Sequence, residues 1–316
     1  MRYRQLGDSG LTVSLVGIGC NNFGRPMDGN EVAAVVDAAL DAGITLFDTS
    51  DSYGGRPGES EELLGAALKG RRDDAVIATK FGWDMRGANG ADWGTRGSRR
   101  YVRRAVEASL RRLGTDWIDL YQYHRPDGIT PVEETLDVLD DLVRDGLVRY
   151  VGCSNFAAWQ LVDADWIARE RGKIRFTSAQ NRYSLLEREA EKELLPACAR
   201  LGVGMLPYFP LANGLLTGKY RRGAAAPAGS RLATRRQDLL EAAPWDALEA
   251  MASYANERGV TILDVAIGAL AARPEVSSVI AGATRPDQVR ANAATLHWQP
   301  TEEDLTVLDG IFPPPA

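Results

Sequence analysis

Eight times along the chain a short run of aliphatic and β-branched residues gives way to a longer amphipathic stretch, and this alternation constrains the fold most. The short runs read as strands over 13–19, 44–48, 75–80, 117–123, 148–154, 175–181, 203–208 and 276–281. The longer stretches read as helices over 30–42, 60–68, 99–113, 131–145, 157–171, 189–201, 245–257, 261–273, 286–296 and 302–308. Gly43, Gly114, Gly146, Gly172, Gly202 and Gly259 each stand just past a helical pattern, where a left-handed terminating turn favours glycine. Strands that alternate with helices make βα units and a parallel sheet. Eight such units are the number that closes a barrel. An open, doubly wound sheet would carry G-x-G-x-x-G after its first strand. The turn here reads Gly17-Ile18-Gly19-Cys20-Asn21-Asn22-Phe23-Gly24 and does not match. The expected fold is therefore α/β, a single (β/α)8 TIM barrel whose one domain spans residues 1–316.

Composition removes other classes. With 45% hydrophobic and 25% charged residues in 316, the chain has enough apolar content for a core. No uninterrupted apolar run approaches the roughly 18 residues of a membrane span. Nor does the start, Met1-Arg2-Tyr3-Arg4-Gln5, lead into a signal-peptide stretch. A net charge of −6 argues against general attraction to nucleic acid. The three cysteines, Cys20, Cys153 and Cys198, are odd in number and widely spaced, which speaks against a disulfide framework or zinc knuckle. The expectation is a reduced, cytoplasmic chain without a metal. Its two histidines, His124 and His297, are too few for the usual metal-dependent hydrolase barrel. The arginines at 96, 99, 100, 103, 104, 111 and 112 read as a solvated helix face.

Two connections are long: 82–97, rich in Gly and Trp, and 212–243, rich in Gly, Ala and Arg. Both follow strands, so both belong on the C-terminal face, where barrel active sites lie. On that face the ends of three consecutive strands converge. The second strand ends at Asp48, with Tyr53 just beyond; the third ends at Lys80; the fourth at His124. Tyrosine, with a free pKa near 10, is a poor acid or base at neutral pH. A lysine cation beside it lowers that pKa, and a carboxylate holds the ammonium in place. A histidine polarises a carbonyl oxygen. Asp48, Tyr53, Lys80 and His124 thus make a proton-donating constellation.

These residues carry a resemblance to the aldo-keto reductase family that covers almost the whole chain. Gly43-Ile44-Thr45-Leu46-Phe47-Asp48-Thr49-Ser50 with Tyr53-Gly54, continued by Glu59-Ser60-Glu61-Glu62-Leu63-Leu64-Gly65, is similar to the family's first signature. The resemblance implies a catalytic tetrad of Asp48, Tyr53, Lys80 and His124. Gly152-Cys153-Ser154-Asn155-Phe156 resembles the family's GxSNF stretch. It implies that Ser154, Asn155 and Gln180 bond a nicotinamide carboxamide while Tyr208 stacks on the ring. The segment from Phe209 to Lys219, with Leu211, Asn213 and Lys219, resembles the loop over the pyrophosphate. Its Gly218-Lys219 is not a nucleotide P-loop, because the spacing from Gly214 is one residue short and Tyr220 replaces Ser or Thr. Phe209 stands where many relatives have a small polar residue. The segment from Ile280 to Val289 resembles the adenosine-phosphate site, with Gly282, Thr284, Arg285, Gln288 and Asn292. Many relatives have Lys at the Gly282 position and Arg at the Gln288 position, so Arg285 is the single basic group offered to a 2′-phosphate. The implied activity is NADP(H)-dependent reduction of an aldehyde or ketone, with NAD(H) use left open and no metal, nucleic-acid or membrane partner.

Two rivals have different sequence demands. An NADPH-binding regulatory or sensor subunit would keep the nucleotide residues and turn over slowly; the intact tetrad favours an enzyme. A glycoside hydrolase needs two facing carboxylates, and the seventh strand ends Met205-Leu206-Pro207-Tyr208 with none. Phe23, Trp83 and Trp93 fit equally as pocket walls or as packing. Oligomeric state is not legible.

Overall fold

The computed structural model describes residues 1–227, 230–234 and 236–315; 228, 229 and 235 of the long connection 212–243, and residue 316, lie outside that description. Among the described residues, β1 (Tyr3–Gln5) and β2 (Thr12–Ser14) form an antiparallel hairpin. Eight parallel strands follow: β3 (Val16–Gly19), β4 (Leu46–Asp48), β5 (Val76–Phe81), β6 (Ile118–Tyr123), β7 (Val148–Ser154), β8 (Ser178–Gln180), β9 (Gly204–Met205) and β10 (Val279–Gly282). Each pairs with its sequence neighbour, and β10 pairs with β3. Parallel bridges Met205–Val276 and Tyr208–Ile280, with the Ile280 amide donating to the Pro207 carbonyl at 3.0 Å, join the two ends of the sheet. The result is the expected (β/α)8 barrel.

Helices α1 (Gly29–Asp41), α2 (Glu59–Ala67), α3 (Arg99–Leu113), α4 (Val132–Arg144), α5 (Ala158–Glu170) and α6 (Leu194–Leu201) pack side by side around it. Further on come α7 (Arg231–Thr234), α8 (Gln237–Glu241), α9 (Trp245–Glu257), α10 (Ile262–Ala271), α11 (Pro286–Ala294) and α12 (Glu302–Ile311), with α11 returning to α1. Sequence dictates the face each buries. In α3, Tyr101, Val102, Ala105, Val106, Ser109 and Leu113 recur at helical spacing and are buried. Each fully buried aliphatic side chain contributes about 1.5–3 kcal/mol. The opposite face carries the arginines: Arg99 pairs with Asp141, and Arg103 with Asp145 at 2.6 Å. Arg112 departs from that reading and turns inward onto the buried Glu61 at 2.6 Å. No helix among the described residues is long and apolar enough to cross a membrane.

Three expectations are corrected. The run 13–19 is not one strand: it breaks at Leu15 into β2 and β3. Leu6 and Val13 of the hairpin pack with Leu46, Ala78, Leu120, Leu206 and Ile280, so the hairpin plugs the barrel end opposite the long loops. The helix expected over 189–201 splits into a 3-10 turn, Glu189–Glu191, and α6. Pro196 sits in the first turn of α6, the one place where a missing N–H costs no helical bond. The connection 212–243 is not a bare loop: it holds a 3-10 turn, Ala212–Thr217, and the short helices α7 and α8. Leu215, Leu216 and Tyr220 form a second apolar cluster with Met251, Tyr254, Val265 and Leu308 of α9, α10 and α12.

Candidate active site

Strand geometry gathers the expected residues on the C-terminal face. Asp48 ends β4, Lys80 lies one residue from the end of β5, and His124 follows β6 directly. Lys80 and Gln122 are register partners on neighbouring strands, so their side chains point the same way. Tyr53 is brought back over them by the turn after β4. That turn needs Gly54 at φ +117°, where a Cβ would lie 2.7 Å from the Glu59 Cβ. Gly152 on β7 is likewise obligatory, because a Cβ there would run into the Ser178 hydroxyl.

Lys80 is fully buried. Its ammonium donates to Asp48 Oδ1 and Oδ2 at 2.8 and 2.7 Å, to the Thr49 carbonyl at 2.9 Å and to the Tyr53 hydroxyl at 3.4 Å. Asp48 also accepts from Gln180 Nε2 at 2.8 Å and Gln122 Nε2 at 3.3 Å. Gln122 was not singled out from sequence, although it stands two residues before His124 on the same strand face. Burial opposes the charge on Lys80, but Asp48 and Tyr53 outweigh it and hold the ammonium pKa above the lysine value. For Tyr53 burial dominates and raises the phenol pKa; Lys80 pulls it down and Asp48 pushes it up. The expected lowering by Lys80 is thus present but outweighed. The tyrosine is a protonated phenol at neutral pH, the state that a proton donor needs.

His124 packs edge-on to Tyr53, ring centroids 5.9 Å apart, and against Trp83 at 5.1 Å. Desolvation first, and then the positive charges of Lys80 and Arg125, lower its pKa to about 3. The ring is therefore neutral under physiological conditions. Nδ1 lies 3.2 Å from Ser50 Oγ, a partner that sequence reasoning passed over. Trp83 and Arg125 line a cavity of about 350 Å3 beside His124 with Arg96 and Asp127. Of the three aromatic candidates, Trp83 is the one next to the site. Trp93 is exposed with Arg100 over its ring, and Phe23 is fully buried in the core, which removes it as a pocket wall.

The expected nucleotide residues continue around the same rim. Ser154 and Gln180 end β7 and β8 as register partners. Asn155 adopts φ +58°; its amide donates to the His124 carbonyl and to Ser154 Oγ at 3.0 Å each, and its Oδ1 accepts from the Tyr208 hydroxyl at 2.8 Å. Gln180 spends its N–H on Asp48 and keeps its oxygen free of protein donors among the described residues. Leu211 is half-buried, Asn213 is buried at φ +59°, and Lys219 is exposed. At β10, Gly282 is exposed, Thr284 N donates to Gln288 Oε1 at 2.8 Å, and Asn292 is buried. The Asn292 side-chain amide makes no hydrogen bond to another described residue. Arg285, at the start of α11, is exposed and bonds Asp287 at two points, each 3.0 Å. The rim therefore fits a dinucleotide. It offers amides for a carboxamide, an aromatic ring beside them, and a helix start with one guanidinium at the far end.

The family model described as "Aldo/keto reductase family" matches residues 15–312. An uncharacterized oxidoreductase, YrpG, of Bacillus subtilis (strain 168) is 38% identical, the match covering 100% of this chain and 97% of the relative. A probable voltage-gated potassium channel subunit beta of Oryza sativa subsp. japonica is 36% identical over 94% of this chain and 91% of its own. The L-glyceraldehyde 3-phosphate reductase of Escherichia coli (strain K12) is 34% identical over 94% and 88%.

Proposed function

Because the chain belongs to the aldo/keto reductase family of oxidoreductases, we propose that it is an NADP(H)-dependent reductase of aldehydes or ketones with Tyr53 as proton donor. The observation that carries this reading is the buried Asp48–Lys80 pair with the Tyr53 hydroxyl 3.4 Å from the ammonium. When bound, the nicotinamide supplies the hydride that reaches the carbonyl carbon. The protein's own residues act on the oxygen. Tyr53, kept protonated by burial, gives its proton to the developing alkoxide. Lys80 then faces the phenolate that remains and stabilises it, while Asp48 keeps the ammonium from rotating away. Neutral His124, packed against Trp83, would donate to the same oxygen as a preorganised donor. Ser154, Asn155, Gln180 and Tyr208 would hold the nicotinamide end; Leu211, Asn213 and Lys219 would cover the pyrophosphate. Gly282, Thr284, Arg285, Gln288 and Asn292 would take the adenosine phosphate.

Arg285 is the cation for a 2′-phosphate; Asp287 takes its Nε–Nη2 edge, and Nη1 has no partner among the described residues. A phosphate can take that second edge while Asp287 keeps the first, which favours NADP(H) over NAD(H). The potassium-channel subunit beta among the relatives supports a second reading, a nucleotide-binding regulatory or sensor subunit with little turnover. Steady-state NADPH oxidation with a panel of aldehydes and ketones separates the two. Turnover supports the reductase; tight binding with negligible turnover for every carbonyl supports the sensor.

A further inference from the structure

His124 has two ring nitrogens, and the reading above uses one. Nε2 has no hydrogen-bond partner among the described residues, whereas Nδ1 faces Ser50 Oγ at 3.2 Å. A neutral imidazole carries a single proton, so Nε2–H exists only when Nδ1 is a bare acceptor. The group on the Nδ1 side must then be a donor.

Ser50 is fully buried, and its one hydroxyl proton has competing claimants. They are His124 Nδ1 at 3.2 Å, Asp51 Oδ1 at 3.3 Å and Ser52 Oγ at 3.0 Å. Ser52 does not need that proton, because it is half-buried and its hydroxyl can turn to solvent, while its backbone N–H fills one Ser50 lone pair at 3.2 Å. Asp51 is the competitor that matters. As a carboxylate it only accepts. It would draw the Ser50 proton, force Nδ1–H onto Ser50 Oγ, and leave Nε2 without a hydrogen for the substrate. As a carboxylic acid it donates to Ser50 Oγ, and the serine proton is free for Nδ1.

The surroundings of Asp51 favour the acid. Asp51 is fully buried, and no ion pair to it exists among the described residues. The nearby guanidinium of Arg112 is spent on Glu61, whose other oxygen accepts from Thr79 at 2.6 Å. Apart from the Ser50 hydroxyl, its one side-chain partner among the described residues is the neutral Asn89 amide, at 3.1 Å on Oδ2. The phenols nearby, Tyr101 and Tyr121, are buried and bring no positive charge. Burial and the Glu61 charge, against the opposing pull of Arg112, push the Asp51 carboxyl well above the usual carboxylate range.

We propose that Ser50 is a positioning residue: backed by the Asp51 carboxylic acid, its hydroxyl donates to His124 Nδ1 and fixes the ring as the Nε2–H tautomer that a carbonyl oxygen can accept from. The inference rests on the reading that His124 faces the substrate oxygen, but its test does not need turnover. Only two histidines exist, so a ¹⁵N-histidine spectrum of the whole chain contains two rings, and a His297→Gln variant assigns them. The expected spectrum at neutral pH shows His124 Nδ1 as an unprotonated nitrogen and Nε2 as a protonated one. In Ser50→Ala the two tautomers should mix. Carbonyl reduction should then fall about three- to tenfold in kcat/KM, the scale of one hydrogen bond, with nucleotide affinity unchanged. A protonated Nδ1 in the unmutated chain, or a Ser50→Ala spectrum identical to it, overturns the proposal. A chain with the Nε2–H ring that reduces no carbonyl overturns the reductase reading instead and leaves the tautomer assignment standing.

Discussion

Lys80→Met isolates the element on which the site is built. The substitution keeps the stem volume and deletes a fully buried ammonium with four hydrogen-bond acceptors: both Asp48 oxygens, the Thr49 carbonyl and the Tyr53 hydroxyl. Asp48, 3% exposed, would then be a buried anion facing only the amides of Gln122 and Gln180. Removing one partner of a buried pair costs about 3–5 kcal/mol, because the other charge stays uncompensated. Two amide donors remain, so the lower end, about 3 kcal/mol, is expected here. Removing both charges, in Asp48→Asn with Lys80→Met, should recover most of that loss, since neutral replacement of a buried pair is often nearly neutral. Urea unfolding followed by the fluorescence of the seven tryptophans reads the cycle. Reduction should stay lost in both variants, for neither holds a cation against the Tyr53 phenolate. A single variant within about 1 kcal/mol of the parent, or a double variant no more stable than the single, would refute the reasoning.

Three further outcomes follow from the charges. His124 titrates at about 3 in the folded chain and near 6.5 when unfolded. The unfolded chain therefore binds the extra proton first, and stability present above pH 6.5 is lost as pH falls toward 3. From this group alone the loss between pH 7 and pH 5 is about 2 kcal/mol, and His124→Gln should remove that part of the acid sensitivity in urea titrations. Reduction should show no limb near pH 6.5, because His124 stays neutral, and an alkaline limb only above the usual tyrosine range, because burial raises Tyr53; a pH–rate profile checks both. Asp287→Asn should strengthen NADPH binding and leave NADH binding alone, while Arg285→Ala weakens NADPH the more; equal effects on both nucleotides in fluorescence titrations would remove this pair from 2′-phosphate recognition.

The barrel was legible because its strands are buried on both faces and read as short apolar runs, while its helices keep one apolar stripe. The breaks were not, since they depend on what lies across the fold. Val13 belongs to a plug and Val16 to the barrel, yet both are β-branched residues in one run. Strand ends were enough to bring Asp48, Tyr53, Lys80 and His124 together. What escaped was the layer behind them. Gln122 could have been found from its two-residue offset to His124. Ser50, Asp51, Asn89, Arg112, Glu61 and Thr79 form a largely buried network, joined through Asn89, that no local spacing announces. The sign of the Tyr53 shift escaped for the same reason. A lysine neighbour can be read from sequence, whereas the desolvation that outweighs it is a property of the packed site.

The central claim is that Tyr53 delivers the proton, and single-turnover hydride transfer by Tyr53→Phe beside a fluorescence titration of NADPH tests it most directly. Phenylalanine keeps the ring and removes the hydroxyl that lies 3.4 Å from Lys80. General acid–base catalysis contributes roughly 10²–10⁴-fold, so the hydride-transfer rate should fall by at least that scale. The NADPH dissociation constant should barely change, because Ser154, Asn155, Gln180 and Tyr208 are untouched. Near-normal hydride transfer in Tyr53→Phe would contradict the account.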